Sequence, residues 1–572
     1  MAAQFSESRP WLAHYPPGVP AEVEIPDRLL PELVQETVDR WPERTAFVFY
    51  GARWSYRRFW QESERFAAAL ARDGVVAGDR VGLYLPNCPA YPIALFGVLR
   101  LGAIAVQVSP LYLGQDLARV LRDSEPKAIV TLEILYPNLA AVAPEVTVPV
   151  TYVARLREFY PTVARPFVNL VLRRQHRSTT FPRGPGVRPW RRAVRTPGTV
   201  PIHPGDPATT VAVFQYTGGT TGVPKAAMLS HRNLVANLTQ SNAWNTTRGT
   251  EQEVVLAALP FFHIYGLTVG LLCGLVDGAM AVLQTRPDVP EILRLIHRYR
   301  PTQFPGVPAL YQALIDRPDL ARYDLRSIKF CLSGSAPLPL EVQARFEKLT
   351  GATLVEGYGL TEASPVTHAN PLRGGQRAGS IGLPLPNTEQ RIVDPAEPRR
   401  VLATGDVGEL VVRGPQVMLG YYHQPEETAL ALQDGWLLSG DLARIDADGF
   451  AYVVDRKKDV INVGGLKVYP REVEEVLFQH PAVADAAVIG APDRLRGEVT
   501  KAFVVRRAGT TASETELIDF VRARLAHYKA PRSIEFRDAL PRSGTQKLLR
   551  RALRDAEPTS ERGGAAPTVP GR

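Results

Sequence analysis

The chain has 572 residues, 45% of them hydrophobic and 22% charged, a composition that excludes both intrinsic disorder and a small cross-linked scaffold. Its three cysteines, Cys88, Cys273 and Cys331, stand far apart without a CxxC pair, which argues against a disulfide framework or a structural zinc site and fits a reducing compartment. The net charge of +9 is local: residues 151–200 carry eleven arginines, no lysine and one acid, Glu158, so the remaining 522 residues sum to −1.

The N-terminal stretch, MAAQFSESRPWLAHYPPGVP, lacks the positive start and apolar core of a targeting signal. The longest apolar run, Tyr265 to Val276, stops at Asp277, short of the roughly 20 residues a spanning helix needs. A cytoplasmic protein is expected. From Leu29 to about Val153 amphipathic helices alternate with short strands: a helix over 57–73, a strand over Arg80–Leu85, a helix over Ala90–Leu101 and a strand over Ile104–Val108. Such alternation predicts an α/β protein built on parallel sheets. Residues 178–208, with seven prolines, read as a loop or irregular crossover. Alternation resumes at Val211, and short strands dominate 390–454, with Asp446-Ala447-Asp448-Gly449 as a turn. After Asp455 a helix at 470–479, strands at 483–489 and 499–505 and a helix at 513–527 make a compact α+β unit. The expected division is an N-terminal extension (1–27), a large α/β domain (28–455), a small mobile α+β domain (456–555) and a disordered tail (556–572).

The chemistry-bearing motif is Gln215-Tyr216-Thr217-Gly218-Gly219-Thr220-Thr221-Gly222-Val223-Pro224-Lys225, which follows an apolar strand. Glycines let backbone approach a polyphosphate, threonines add hydroxyl donors and Lys225 closes the segment with a cation. The spacing is not GxxxxGK[ST], because Val223 and Pro224 separate Gly222 from Lys225. The plain alternative is a Gly/Thr-rich surface turn.

This segment resembles the phosphate loop of the adenylate-forming superfamily, which includes acyl-CoA synthetases, luciferases and peptide-synthetase adenylation domains. Further matches follow in the family's order: Leu259 to Gly266 around His263; Ser333-Gly334-Ser335-Ala336-Pro337-Leu338; Glu356-Gly357-Tyr358-Gly359-Leu360-Thr361-Glu362; Gly408-Glu409-Leu410 with Gly420-Tyr421-Tyr422; Trp436 with Ser439-Gly440-Asp441; and Asp455-Arg456-Lys457-Lys458-Asp459. They span roughly residues 28–553. The phrasing VEGYGLTEASPV, IGLPLPNTEQRIVD and DRKKDVINVGGLKVYPREVEEVL is most similar to bacterial long-chain fatty-acid–CoA ligases.

The resemblance implies two half-reactions: a carboxylate and ATP give acyl-AMP and pyrophosphate, then coenzyme A displaces AMP. ATP would be held by Thr217, Gly218, Gly219, Thr220, Thr221, Gly222, Lys225, Gly334, Ser335, Glu356, Gly357, Tyr358, Gly359, Thr361, Asp441, Arg456 and Lys458, with Tyr358 stacking in the adenine slot and Asp441 on the ribose. Charge on transferring phosphates calls for Mg2+ and a hard oxygen ligand, for which Glu362 and the nearby Thr217 hydroxyl are the candidates. His263 would border the acyl carboxylate; its alternative is a satisfied core histidine. Gly464, Gly465 and Leu466 would face coenzyme A once the small domain turns about Lys458.

Lysine usage points the same way without the family. Ten lysines face 57 arginines, so the chain uses arginine wherever a cation merely solvates a surface, yet Lys225, Lys458 and Lys547 each fall in a motif. Lys547, in LPRSGTQKLLRR, is implied to bridge the carboxylate and the α-phosphate. The chain departs from the family at Gln546 and at Ala226, where glycine is usual.

Residues 155–177 interleave arginines with Leu156, Phe159, Phe167, Leu170 and other apolar groups, a pattern suited to an anionic membrane surface. The expectation is therefore an ATP-dependent long-chain fatty-acid–CoA ligase, peripheral on the inner face of the membrane through this segment, with no nucleic acid and with an oligomer neither required nor excluded. The alternatives are the same fold acting on medium-chain or aryl acids or loading a carrier protein, and a non-catalytic acyl- or nucleotide-binding protein.

Overall fold

A central sheet is built where the alternation is strongest. The computed structural model describes residues 9–174, 181–218, 224–247, 249, 251–493, 495–542 and 548–556. These divide into two units, one of residues 1–391, 411–439 and 445–452, the other of 392–410, 440–444 and 453–572. The change of unit falls inside the strands Glu389–Val393, Gly408–Arg413, Trp436–Ile445 and Ala451–Arg456.

In the first unit the described residues form an eight-stranded sheet in the order Gly420–Tyr421, Pro224–Ser230, Val211–Gly218, Ile104–Gln107, Arg80–Tyr84, Ala128–Leu132, Val150–Ala154, Val187–Pro189. Five neighbouring pairs from Val211–Gly218 to Val187–Pro189 run parallel, as strands linked by crossover helices must. Because helices cover such a sheet, its strands are buried almost throughout, and Ala128–Leu132 is buried at every position. The helix Tyr56–Arg72 starts where Ser55 accepts from Arg58 N, and it buries Phe59, Phe66 and Leu70 against this core. Two smaller sheets lie in this unit, with the orders Val254–Ala257, Met280–Leu283, Thr45–Phe49, Ala52–Ser55 and Phe330–Ser333, Thr353–Gly359, Val366–Ala369, Leu383–Pro384. A further sheet of Glu389–Val393, Gly408–Arg413, Trp436–Ile445 and Leu432–Gln433, with Ala451–Arg456 on Trp436–Ile445, is divided between the two units.

The proline-rich stretch is more ordered than its composition suggests. Val187–Pro189 pairs in parallel with Val150–Ala154, and one helical turn, Trp190–Ala193, seats Trp190 against Phe66 with ring centroids 4.8 Å apart. A proline within a strand removes a ladder donor, so this strand occupies the edge. Three residues are too few for their periodicity to register in the sequence.

The second unit carries a sheet of Leu466–Val468, Ile461–Val463, Gly497–Arg506 and Val483–Asp493, with Ser533–Phe536 pairing in parallel to Gly497–Arg506. The helices Pro470–Phe478 and Glu514–Arg522 share one apolar core with it. Ser513 and Glu516 close a capping box at the start of the second helix.

Cys88, Cys273 and Cys331 form no disulfide among the described residues, and burial pushes Cys88 up to about 12, out of the reactive range. Among the described residues no helix is long and apolar enough to cross a membrane. The expected disordered tail falls, beyond Ala556, outside the described residues.

Candidate functional site

Thr217 and Lys225 meet across the antiparallel pair Val211–Gly218 and Pro224–Ser230, in register with one another. Residues 219–223, which include Gly219, Thr220, Thr221 and Gly222, lie outside the described residues. The hairpin is pinned at its far end, where Ser230 caps the helix His231–Trp244 in a capping box with Asn233. Asn233 Nδ2 in turn donates to the carbonyls of Pro415 (2.9 Å) and Val417 (2.7 Å), which brings residues 415–428 alongside.

Lys225 is only 6% exposed, and an ammonium so enclosed needs a counter-charge. It receives one from Glu427, in the first turn of the helix Pro425–Ala431, while the Tyr421 ring lies 5.2 Å from its Nζ. Tyr421 pairs with Ala227 on the same hairpin, and its hydroxyl donates to Glu362 Oε1 at 2.7 Å. Burial, then the Glu362 charge, holds that phenol well above its ordinary range, so it remains a donor. Met418 N donates to Glu362 O at 2.8 Å, fixing the backbone that carries the carboxylate. Glu427, Lys225, Tyr421 and Glu362 thus form one polar chain that begins opposite Thr217 in the hairpin.

The loop bearing His263 is tied to the central sheet by buried amides. Gln215 Nε2 donates to Phe262 O at 2.8 Å, Asn87 Nδ2 donates to Ala257 O and Leu259 O, and Asn87 Oδ1 accepts from Phe261 N. Half-buried, His263 caps the turn Ile264–Leu267, its Nδ1 accepting from Tyr265 N at 3.4 Å. Tyr265 reaches the next sheet, its hydroxyl donating to Leu332 O at 2.6 Å, and its ring packs beneath Gly334. Ser335, exposed and at φ 68°, follows the strand Phe330–Ser333.

Beside it runs Thr353–Gly359, with Ser333 in register with Glu356. The buried Glu356 carboxylate accepts from Leu338 N at 3.0 Å, closing the loop between the two strands. Tyr358 lies half-buried with its ring 5.9 Å from that of His368. At Gly359 a Cβ would come within 2.2 Å of Pro365 O, so the chain can turn there only with glycine. Thr361 and Glu362 follow in the short turn Thr361–Ala363.

In the second unit Asp441, 3% exposed, pairs with Arg456 Nε at 3.0 Å. Glu409, 2% exposed, accepts from Gly440 N (3.0 Å) and from Lys457 Nζ (2.9 Å). Partial desolvation of the Lys458 ammonium, then the Arg456 cation, pulls it below the usual lysine range. Asp455 accepts from the backbone N–H groups of Arg456 and Arg471, so the run 455–459 is held at one end. Gly464 and Gly465, at φ 60° and 90°, form a two-residue turn between Ile461–Val463 and Leu466–Val468. Two successive positive φ angles suit only glycine or a few polar residues, and Leu466, 50% exposed, stands at the tip. Lys547 and Gln546 lie outside the described residues. Their flanks are fixed: Arg542 and Leu548 form a bridge, and Arg542 Nη2 donates to Asp485 at 2.6 Å.

The profile of a family described as "AMP-binding enzyme" matches residues 34–422, and that of its C-terminal domain matches 472–547. The chain belongs to the AMP-binding enzyme family. A long-chain-fatty-acid–CoA ligase of Bacillus subtilis (strain 168) is 42% identical over 551 residues, covering 96% of this chain and 98% of that one. Among solved structures, ATP-bound MatB from Rhodopseudomonas palustris has TM-score 0.80 at 28% identity, covering 92% of this chain and 98% of its own. The anthranilate CoA ligase AuaEII with anthranoyl-AMP has TM-score 0.82 at 26% identity, covering 93% and 98%.

In this AMP-binding enzyme the first unit brings together Thr217, Lys225 and Glu362, and separately stacks Gly334 and Ser335 beside Glu356 to Gly359. Asp441, Arg456 and Lys458, with Gly464 to Leu466, belong to the second unit. The sequence assigns no role to Tyr421, Glu427 or Glu409. Glu427 is separated from Lys225 by 202 positions, and its signal is that of any acid in the first turn of a helix opened by proline.

Proposed function

We propose that this AMP-binding enzyme is an AMP-forming fatty-acid–CoA ligase acting on long acyl chains. The reading is carried by one observation: Thr217, Lys225 and Glu362 converge on a single hairpin and its neighbours, in a chain that resembles a long-chain-fatty-acid–CoA ligase along nearly its full length. In the first half-reaction a carboxylate oxygen attacks the α-phosphorus of ATP, forming acyl-AMP and releasing pyrophosphate. In the second, the thiol of coenzyme A attacks the acyl carbon, forms the thioester and expels AMP.

Lys225 sits on Glu427 until a polyphosphate competes for its ammonium, so a cation is positioned without being left unpaired. Tyr421 orients the Glu362 carboxylate through its hydroxyl. Glu362 and Thr217 would hold Mg2+, which when bound supplies positive charge to the transferring phosphates. Their oxygen chemistry fits that ion: Mg2+ takes one or two carboxylates and fills its shell with water and phosphate, and the described residues contain no cluster of three or more potential metal ligands. Tyr358 and Gly334 are assigned to adenine, Asp441 and Arg456 to the ribose, Lys547 to the reacting carboxylate and α-phosphate, His263 to the acyl carboxylate, and Gly464, Gly465 and Leu466 to coenzyme A.

The segment 155–177 is assigned to peripheral docking on an anionic bilayer. Val163, Phe167, Leu170 and Val171 are exposed around the helix Arg165–Arg174, with Phe167 at 70%, and arginines flank them. The deciding experiment is pyrophosphate release with palmitate and ATP, followed by thioester formation on addition of coenzyme A. Turnover of C16 acids above C8 and aryl acids is expected; preference for a short or aryl acid sinks the chain-length assignment, and no release sinks the ligase.

A further inference from the structure

A cavity of about 690 Å3 lies in the first unit against the edge of the eight-stranded sheet. Arg72, Arg155, Arg191, Arg192 and Arg195 line it, with Glu158 the one carboxylate among them. We propose that this cavity is a binding site for a phosphate group, gripped by these arginines.

Three observations converge. First, the walls are rigid: Trp190 is 2% exposed and packed on Phe66, and Thr196 Oγ1 donates to Arg192 O. Tyr152, on the strand beside the edge, donates to Asp73 at 2.6 Å. Five cations are therefore held together on a fixed frame instead of dispersing into solvent. Second, no carboxylate among the described residues neutralises them, although Arg72 donates to Pro197 O. Elsewhere arginines pair freely, as in Arg377 with Asp446 or Arg122 with Glu145; among the described residues none of these five forms a salt bridge. Third, Arg155 Nε is buried without a hydrogen-bond partner among the described residues, its guanidinium lying 5.0 Å from the Phe181 ring. An unpaired buried donor costs free energy until an acceptor arrives.

The planar fork of a guanidinium matches phosphate oxygens in pairs, and several forks around one cavity select a multi-oxygen anion over a carboxylate. The volume admits a free phosphate compound or the headgroup of an anionic phospholipid. The site does not rest on the docking reading, since the apolar face of Arg165–Arg174 can meet a bilayer with the cavity empty. The two surfaces are nonetheless joined, because Arg165 donates to the carbonyls of Tyr160 and Glu158.

The test uses the full chain and two probes: inorganic phosphate by calorimetry, and phosphatidylglycerol against phosphatidylcholine vesicles by sedimentation. Arg191→Ala with Arg192→Ala, both exposed residues, is expected to weaken binding at least tenfold. Lys225→Ala, which removes a cation from the candidate active site, should leave vesicle binding unchanged. The control Arg173→Ala with Arg174→Ala subtracts the same charge from the neighbouring helix. Phosphate binding lost only in the 191/192 variant supports a site for a soluble anion. Vesicle binding lost in that variant far more than in the 173/174 control, without phosphate binding, supports the lipid headgroup. Equal losses in both double variants, or binding of neither probe, overturn the proposal. Pyrophosphate release should be unchanged in the 191/192 variant, so a failure of the ligase reading would be seen separately.

Discussion

Two groups of cations in the first unit stand in opposite states. Lys225 is buried and already has a carboxylate, Glu427, together with the Tyr421 ring. The arginines around the cavity have rigid walls and no salt-bridge partner among the described residues. A cation with its own counter-ion can be lent to a substrate and taken back, which suits a group used on every turnover. A cluster without one requires its partner from outside, which suits a site that stays occupied. The difference separates a reacting surface from a holding surface, although both would meet phosphate.

The sharpest break in this comparison concerns rate. Lys225→Ala and Lys547→Ala should each lower acyl-AMP formation about 100-fold or more, on the order of 3 kcal/mol of barrier, in a pyrophosphate-release assay. Lys547→Ala should still convert supplied acyl-AMP to thioester; equal loss of both steps would refute its assignment. Next comes pH, where the two regions respond with opposite sign. Near the candidate site, burial holds His231 and His368 down to about 4, so the unfolded chain takes up protons that the folded chain refuses. Stability is lost there as pH falls from about 6.5 toward 4, by roughly 3 kcal/mol for each histidine once below that window. Near the cavity, burial pushes Glu133 up to about 7, while both its carboxylate oxygens accept from Leu156 N. Its contribution is fully present below about 4.5 and is lost as pH rises toward 7. Glu133→Gln should therefore raise the melting temperature at pH 8 and leave it nearly unchanged at pH 4.5; a uniform shift would contradict the assignment.

Smaller effects sharpen the same contrast. Glu427→Gln leaves Lys225 buried without its charge partner and should cost about 2 kcal/mol of stability without ligand. ATP should then raise the melting temperature more than in the parent chain. Tyr421→Phe removes the donor that orients Glu362 and should reduce kcat/KM about fivefold, near 1 kcal/mol, with little change in melting temperature.

Regular elements were legible where periodicity had room to repeat. The helix Tyr56–Arg72 and the strands Arg80–Tyr84 and Ile104–Gln107 lie within a residue or two of expectation, because each runs long enough to show its apolar face. The edge strand Val187–Pro189 was not legible, since its order comes from pairing with Val150–Ala154 and not from its own sequence. At the site, Thr217 and Lys225 were legible because a short hairpin keeps sequence neighbours close. Glu427 and Tyr421 were not, because their proximity to Lys225 is created by the strand Gly420–Tyr421 joining the sheet edge. Glu409 looked like part of a Gly-Glu-Leu motif, and only the fold gives its carboxylate a lysine, Lys457, 48 positions away.

One feature of the second unit bears on the order in which the chain is made. The nearly buried carboxylates of Glu474 and Asp459 are met by Arg550 and Arg554, on the helix Arg550–Asp555, which follow them by 76 and 95 positions. At translation rates of roughly 5–20 residues per second, Glu474 waits about 4–15 s for its counter-ion. During that interval the sheet of this unit can form its ladder but not its charge balance. A nascent chain halted before Arg550 would have to keep these two acids protonated or solvated, so the closing helix is what lets them stay charged and buried.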